Sequence, residues 1–299
     1  TTGSQNTGVG LGSLGSNTTA DNNVAVGFLA LTASTTGAGN TAIGKSAMYT
    51  NTTGGGNTAI GIEALGVNTT ANYNTAVGLS TLIANTTGTQ NTAVGAAALD
   101  ANTTANNNNA FGYTALTANT TGTQNCAFGE ESLFTNTTGG QNTAIGSEAL
   151  KANTTANNNT AVGRSALTAN TTGANNTAIG SFSLIANTTA SGCTAVGNDC
   201  MDSNTTGANN TAVGVDALQA NTTGTANTSL GAGAGDAITT GSYNTMIGKD
   251  AGGATTTANG NVVVGESAFL ANTTGANDVA IGANCLGSNT SGENNTAVG

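Results

Sequence analysis

Asn91-Thr92-Ala93-Val94-Gly95 is one copy of a five-residue word that recurs every 17 residues through the chain. Its closing glycine stands at Gly10, Gly27, Gly44, Gly61, Gly78, Gly95, Gly112, Gly129, Gly146, Gly163, Gly180, Gly197, Gly214, Gly231, Gly248, Gly265, Gly282 and Gly299, with no insertion or deletion between copies. Repetition without drift at so short a period is the mark of a solenoid, in which each repeat is one turn of the structure and packs only on its neighbours. The 45 glycines and abundant Asn and Thr would also suit a disordered low-complexity segment, but such a segment has no need of a fixed register.

Composition points the same way. Hydrophobic residues make up 37% of 299 residues, yet alanine supplies much of that, and 6 Phe, 4 Tyr and no Trp are few for a three-dimensional core. The net charge is −10, and the cations Lys45, Lys151, Arg164 and Lys249 are scattered, so nucleic acid is not an expected partner. No run approaches the roughly 18 apolar residues of a membrane span. The chain opens inside a repeat at Thr1-Thr2-Gly3 and stops on Gly299. It therefore reads as a slice of a longer protein, one continuous repeat array over residues 1–299 without caps, so a missing targeting signal says nothing about where it lives.

Folded onto its period, the sequence gives N-T-A-V-G-x-x-A-L-x-A-N-T-T-G-x-x, with the Asn of the word as column 1. Column 4 holds Val, Ile, Leu or Phe (Val9, Ile43, Phe111, Phe128, Leu230, Ile281), and column 9 is nearly always Leu or Met (Leu31, Met48, Leu99, Met201, Leu286). These two columns are the expected core. Thr and Val alternating with Asn and Ala is strand periodicity, and β-branched residues favour strands; Gly, Asn and Thr rank low in helix propensity. The fold expected is all-β, a parallel β-solenoid or β-roll of 17-residue coils, about 18 of them. Each coil should hold two short strands, columns 1–4 and 8–13, with corners at column 5 and after Asn-Thr-Thr, as at Gly88 and Ala105. The column-5 glycine suits a positive φ or a close approach of the next coil. At the usual strand spacing of about 4.8 Å the stack would be roughly 85 Å long.

One Val and one Leu per coil bury little apolar surface against the entropy of ordering a whole coil. Backbone, Asn and Thr ladders must contribute, and a second chain is expected against the alanine columns (Ala93, Ala98, Ala101), most simply in a homotrimer. Two late coils replace the core Leu by Gly235 and Gly252, which predicts a thinner core there, with a kink or a pocket.

The chemistry is sparse. With no His, triads, imidazole bases and most zinc sites are excluded, and no catalytic, metal-binding or cofactor-binding residue is assigned. Glu63, Glu131, Glu148, Asp199, Asp216 and Asp250 share column 7; they read as a solvated corner, because the calcium β-roll word G-G-x-G-x-D is missing. Cys126, Cys193, Cys200 and Cys285 make no disulfide framework. Cys200 and Cys285 share a column but lie five coils apart, about 24 Å on such a stack and far beyond disulfide reach. Cys193 and Cys200 read as small buried thiols in place of Asn and Ala.

Asn-Thr-Thr or Asn-Thr-Ser stands at Asn17, Asn51, Asn68, Asn85, Asn102, Asn119, Asn136, Asn153, Asn170, Asn187, Asn204, Asn221, Asn272 and Asn289. Each matches the N-glycosylation acceptor. The first reading is structural, an Asn and Thr at a corner satisfying orphan backbone groups; glycosylation is the second. Repeated Thr also raises ice binding, but the adjacent Thr pair is expected on opposite faces, which gives no shared array.

The fuller word Asn142-Thr143-Ala144-Ile145-Gly146-Ser147-Glu148-Ala149 resembles the head repeats of trimeric autotransporter adhesins (the YadA-like head), and similar repeats occur in bacteriophage tail-fibre-like proteins. The resemblance covers all 18 words. It implies a left-handed parallel β-roll, three chains side by side, exposed on a cell or virion surface and used for attachment. The chain differs from that family in its longer period, its Thr in column 2 and its Asn-Thr-Thr-Gly corner. The expected function is a non-enzymatic extracellular structural fibre, the shaft or head of an adhesin or the wall of a surface filament. Its partners would be itself, as homotrimer or filament, and a host-surface glycan or protein. The alternative is a solenoid binding module recognising glycans or ice.

Overall fold

Each repeat forms one three-residue strand, from β1 (Thr7–Val9) to β18 (Thr296–Val298), and there is no helix among the described residues. The structure is a computed structural model and describes residues 2–299. It gathers into two compact units, Thr1–Glu148 and Ala149–Gly299. In the first unit β1 to β9 (Thr143–Ile145) stack as parallel neighbours; in the second, β10 (Thr160–Val162) to β18 do the same. Thus β6 (Thr92–Val94) lies between β5 (Thr75–Val77) and β7 (Asn109–Phe111), with Thr92 level with Thr75, Ala93 with Ala76 and Val94 with Val77. The register never slips, so like residues superpose, as the 17-residue period requires. The chain is a parallel β-solenoid.

The corner after each strand needs glycine on two counts. Gly95 has φ +131°, and a Cβ on it would lie 2.3 Å from the carbonyl oxygen of Gly112 in the next coil. Beyond the corner, the second strand expected over columns 8–13 does not form. Columns 6–11 are linked turns: the Ala98 N–H donates to Gly95 O at 3.3 Å, and the Asn102 N–H to Leu99 O at 3.2 Å. Ala97 and Leu99 take left-handed φ values of 53° and 55°, which no strand accommodates. A left-handed non-glycine residue costs about 1–2 kcal/mol. The fold holds Leu99 there because its N–H donates to Ala115 O of the next coil at 3.0 Å and its side chain is fully buried.

The core also differs from expectation. Column 9 is inside, with Leu99 0% exposed, but the strand residue that faces it is Ala93, also 0%, whereas Ile43 and Ile60 of column 4 are 38% exposed. Alternation along the strand is as expected and its phase is reversed: Asn91 and Ala93 point inward, Thr92 and Val94 outward. Opposite leucine the strand carries a methyl, Ala93 against Leu99; the coil that holds Phe269 in column 9 takes the larger Val263, with both fully buried. The alanines of columns 3 and 8, Ala93 and Ala98, are therefore core rather than a face for another chain.

The two coils that lack the leucine show the same complementarity. Around Gly235, Ile238 replaces the usual column-12 Asn, and a Cβ on Gly235 would sit 3.0 Å from the Ile238 Cδ1. Around Gly252, Met246 replaces the usual column-3 Ala, and a Cβ there would sit 2.6 Å from its sulfur. Ile238 and Met246 are both fully buried. The volume is restored from another column, so neither a thinner core nor a pocket results.

Candidate functional site

Inside the coil, opposite the leucine, run two ladders of asparagine. Asn91 is 0% exposed; its N–H donates to Asn74 Oδ1 at 2.9 Å and its Nδ2 to Ala105 O at 2.8 Å, while its Oδ1 accepts the Asn108 N–H at 3.0 Å. Column 12 mirrors it. Asn102 donates from Nδ2 to Asn85 Oδ1 at 2.9 Å and to Ala105 O at 3.2 Å, and its Oδ1 accepts from Asn119 at 3.2 Å. Two side-chain amides of one coil thus converge on one carbonyl, and each is tied to an adjacent coil. They satisfy the column-1 N–H and the column-15 carbonyl, while the turn backbone bonds from coil to coil on its own, as Leu99 N–H does to Ala115 O and Ala101 N–H to Thr117 O, so the buried backbone is satisfied without a second strand.

These ladders decide how the fourteen acceptor motifs are presented. Asn51, Asn68, Asn85, Asn102, Asn119, Asn136, Asn153, Asn170, Asn187, Asn204, Asn221 and Asn272 are all 0% exposed; Asn17 and Asn289 are half-buried. The nitrogen that would carry a glycan is an interior donor at those twelve positions, so glycosylation there requires an open coil.

Cys193 interrupts the column-1 ladder. Its N–H still donates to Asn176 Oδ1 at 2.9 Å and its Sγ to Gly207 O at 3.2 Å, but to the Asn210 N–H of the next coil it offers only sulfur, a weaker acceptor than the asparagine oxygen. Cys193→Asn restores that acceptor and is expected to stabilise the chain by about 1 kcal/mol. Denaturant titration checks this as a raised midpoint at unchanged slope. All four cysteines are unpaired. Burial pushes the Cys126 and Cys193 thiols up, and that of Cys200 up to about 12, which leaves Cys200 a thiol rather than a reactive thiolate.

The column-7 carboxylates sit on the corner, Glu63 exposed and Asp199, Asp216 and Asp250 half-buried. Glu131 and Glu148 are half-buried as well. Asp236 lies near Asp216 and Asp250; burial, then the charge of Asp250, pushes its carboxyl above the usual range. Among the described residues no group of three carboxylates or thiols is placed to hold a metal ion, and no helix is long and apolar enough to cross a membrane.

The outward side of the sheet is where surface chemistry collects. Column 2 presents Thr and column 4 an aliphatic or aromatic residue on one face of each stack, and Phe111 and Phe128 stack there with ring centroids 4.4 Å apart. The corner Thr pair, expected on opposite faces, is outward at both positions. Thr103 Oγ1 donates to Thr120 O at 3.4 Å, and the Thr103 carbonyl accepts the Thr86 and Thr87 N–H groups at 2.9 and 3.3 Å, so that half-buried column is a third coil-to-coil ladder. Thr104 in column 14 is exposed. The paired outward rows of columns 2 and 4 do not show in the sequence as long as column 4 reads as core. The signal that could have found them is the near-constancy of Ala and Asn in the intervening positions. No protein-family model matches the chain, and no curated protein matches it in sequence.

Proposed function

We propose that the chain is a non-enzymatic structural stretch of an extracellular fibre, the shaft or head of an adhesin or the wall of a surface filament. It acts by lying side by side with copies of itself while holding attachment groups at a cell or virion surface. The observation that carries this reading is the apolar band on the first unit. There, column 4 is flanked by column 6, with Leu11 77%, Phe28 46%, Ile62 49%, Leu79 54% and Tyr113 58% exposed. A water-facing row with five large apolar residues in seven coils, interrupted by Lys45 and Ala96, marks a contact surface. Within a unit each strand touches only the strands before and after it, so reach grows by adding repeats, which is what a spacer needs.

The likeness of the repeat to trimeric adhesin heads supports three chains, and attachment implies a host-surface glycan or protein as the further partner. Light scattering of the eluting full chain tests the reading. The expected result is a three-chain mass that falls to one chain in I62D/L79D, with circular dichroism unchanged. A single-chain mass for the unmodified protein at micromolar concentration would overturn it.

A further inference from the structure

In the second unit six successive strands, β10 to β15 (Thr245–Ile247), begin with Thr, and the register sets Thr160, Thr177, Thr194, Thr211, Thr228 and Thr245 in one line. All six are outward, Thr211 and Thr228 exposed and the others half-buried. Two positions further along each strand stands an aliphatic residue, with Ile179 41% and Leu230 49% exposed. The spacing is about 4.8 Å between strands and about 6.6 Å between the two rows. The result is a grid of hydroxyl and methyl groups that contains no charged and no aromatic side chain. All but Leu230 and the buried middle positions are β-branched, hence stiff at χ1, and the backbone beneath is held by the asparagine ladders, interrupted at Cys193, Ile238 and Thr255. Little freedom remains to be lost when a ligand binds.

Repetition of this kind selects the ligand. A single sugar or peptide would engage one or two cells of the grid and gain nothing from the rest. A ligand that gains from every row must itself repeat at matching spacing in two dimensions. Mineral surfaces call for charge, and stacked sugar rings call for aromatic platforms; the grid has neither. Ordered water repeats in two dimensions, exchanges hydrogen bonds with hydroxyls in both directions, and accepts methyl groups into its open cages. We infer that this face of the second unit, columns 2 and 4 of β10–β15, binds the surface of ice. In the first unit the same columns carry Asn109, Cys126 and the stacked Phe111 and Phe128, which break the grid. The inference is independent of the lateral association proposed above, which draws on columns 4 and 6 of the first unit and not on the second unit.

The test is thermal hysteresis and ice-affinity partition of the full chain, alongside T194Y/T211Y and the control T206Y, which alters an exposed column-14 Thr outside the grid. The unmodified chain and T206Y are expected to show a hysteresis gap with faceted crystals and to enter slowly grown ice; T194Y/T211Y is expected to lose both. No hysteresis in the unmodified chain, its rejection from the ice, or equal loss in T206Y overturns the inference. So does hysteresis that survives in T194Y/T211Y, or pelleting with microcrystalline cellulose or chitin in place of ice partition. The behaviour of the unmodified chain decides the matter even if the tyrosines unfold their coils.

Discussion

Gly95→Ala is expected to destabilise the chain by more than about 3 kcal/mol, the range reached when backbone strain and a steric clash coincide. The two effects are separate. An alanine at φ +131° occupies a region that side chains avoid, and its Cβ would meet the Gly112 carbonyl at 2.3 Å. Neither backbone can retreat, because the Gly95 N–H is bonded to Val77 O at 2.8 Å and the Thr92 N–H to Asn108 O at 2.9 Å. In a solenoid the damage spreads through neighbouring coils before it spreads further. Denaturant titration should therefore show a lowered midpoint, and amide exchange should accelerate first in residues 78–112. A midpoint within experimental scatter of the parent would mean that the corner is not built as described.

Asn91→Ala is expected to cost about 3 kcal/mol, because it strips partners from buried groups that are each worth about 1–3 kcal/mol when left unsatisfied. The Asn108 N–H loses its acceptor, and the Ala105 carbonyl keeps only the longer bond from Asn102 at 3.2 Å. The natural variation grades the effect. Cys193 shows that a thiol can still donate to the column-15 carbonyl, at 3.2 Å to Gly207 O. Asn91→Cys should accordingly weaken only the bond from Asn108 N–H, which then meets sulfur in place of oxygen, and cost about 1 kcal/mol. Equal destabilisation by alanine and cysteine, read from denaturation midpoints, would deny the side chain its donor role.

The coil itself is legible in the sequence because one column tolerates only glycine, and 17-residue spacing without drift leaves no other fold class. The closely approaching corner is legible for the same reason. The inward phase of the strand is not. A strand that reads Asn-Thr-Ala-Val has one polar and one apolar residue on each face, so hydrophobicity alone cannot say which face is inside. Leu99 settles it by filling the coil, and that depends on a left-handed backbone which leucine does not advertise. The same turn removes the second strand but keeps its coil-to-coil backbone bonds, such as Ala101 N–H to Thr117 O; the two buried asparagines serve the column-1 N–H and the column-15 carbonyl instead. Asn102 is legible as a residue that satisfies backbone groups; that it does so at 0% exposure, in a ladder shared with its neighbours, is not. The compensations at Ile238 and Met246 are hidden because each restores volume from a different column than the one that lost it.

Distances between spin labels test the coil most directly. Labels are placed on exposed column-14 threonines of the first unit, in a chain whose four cysteines carry their column consensus residues. Thr36 and Thr121 are five coils apart, Thr19 and Thr138 seven. With one 17-residue coil per strand spacing, the separations should be about 24 Å and about 34 Å, rising by about 4.8 Å for every coil added. Separations that fail to rise linearly with coil number, or that spread as in an extended chain, would contradict the stacked-coil structure.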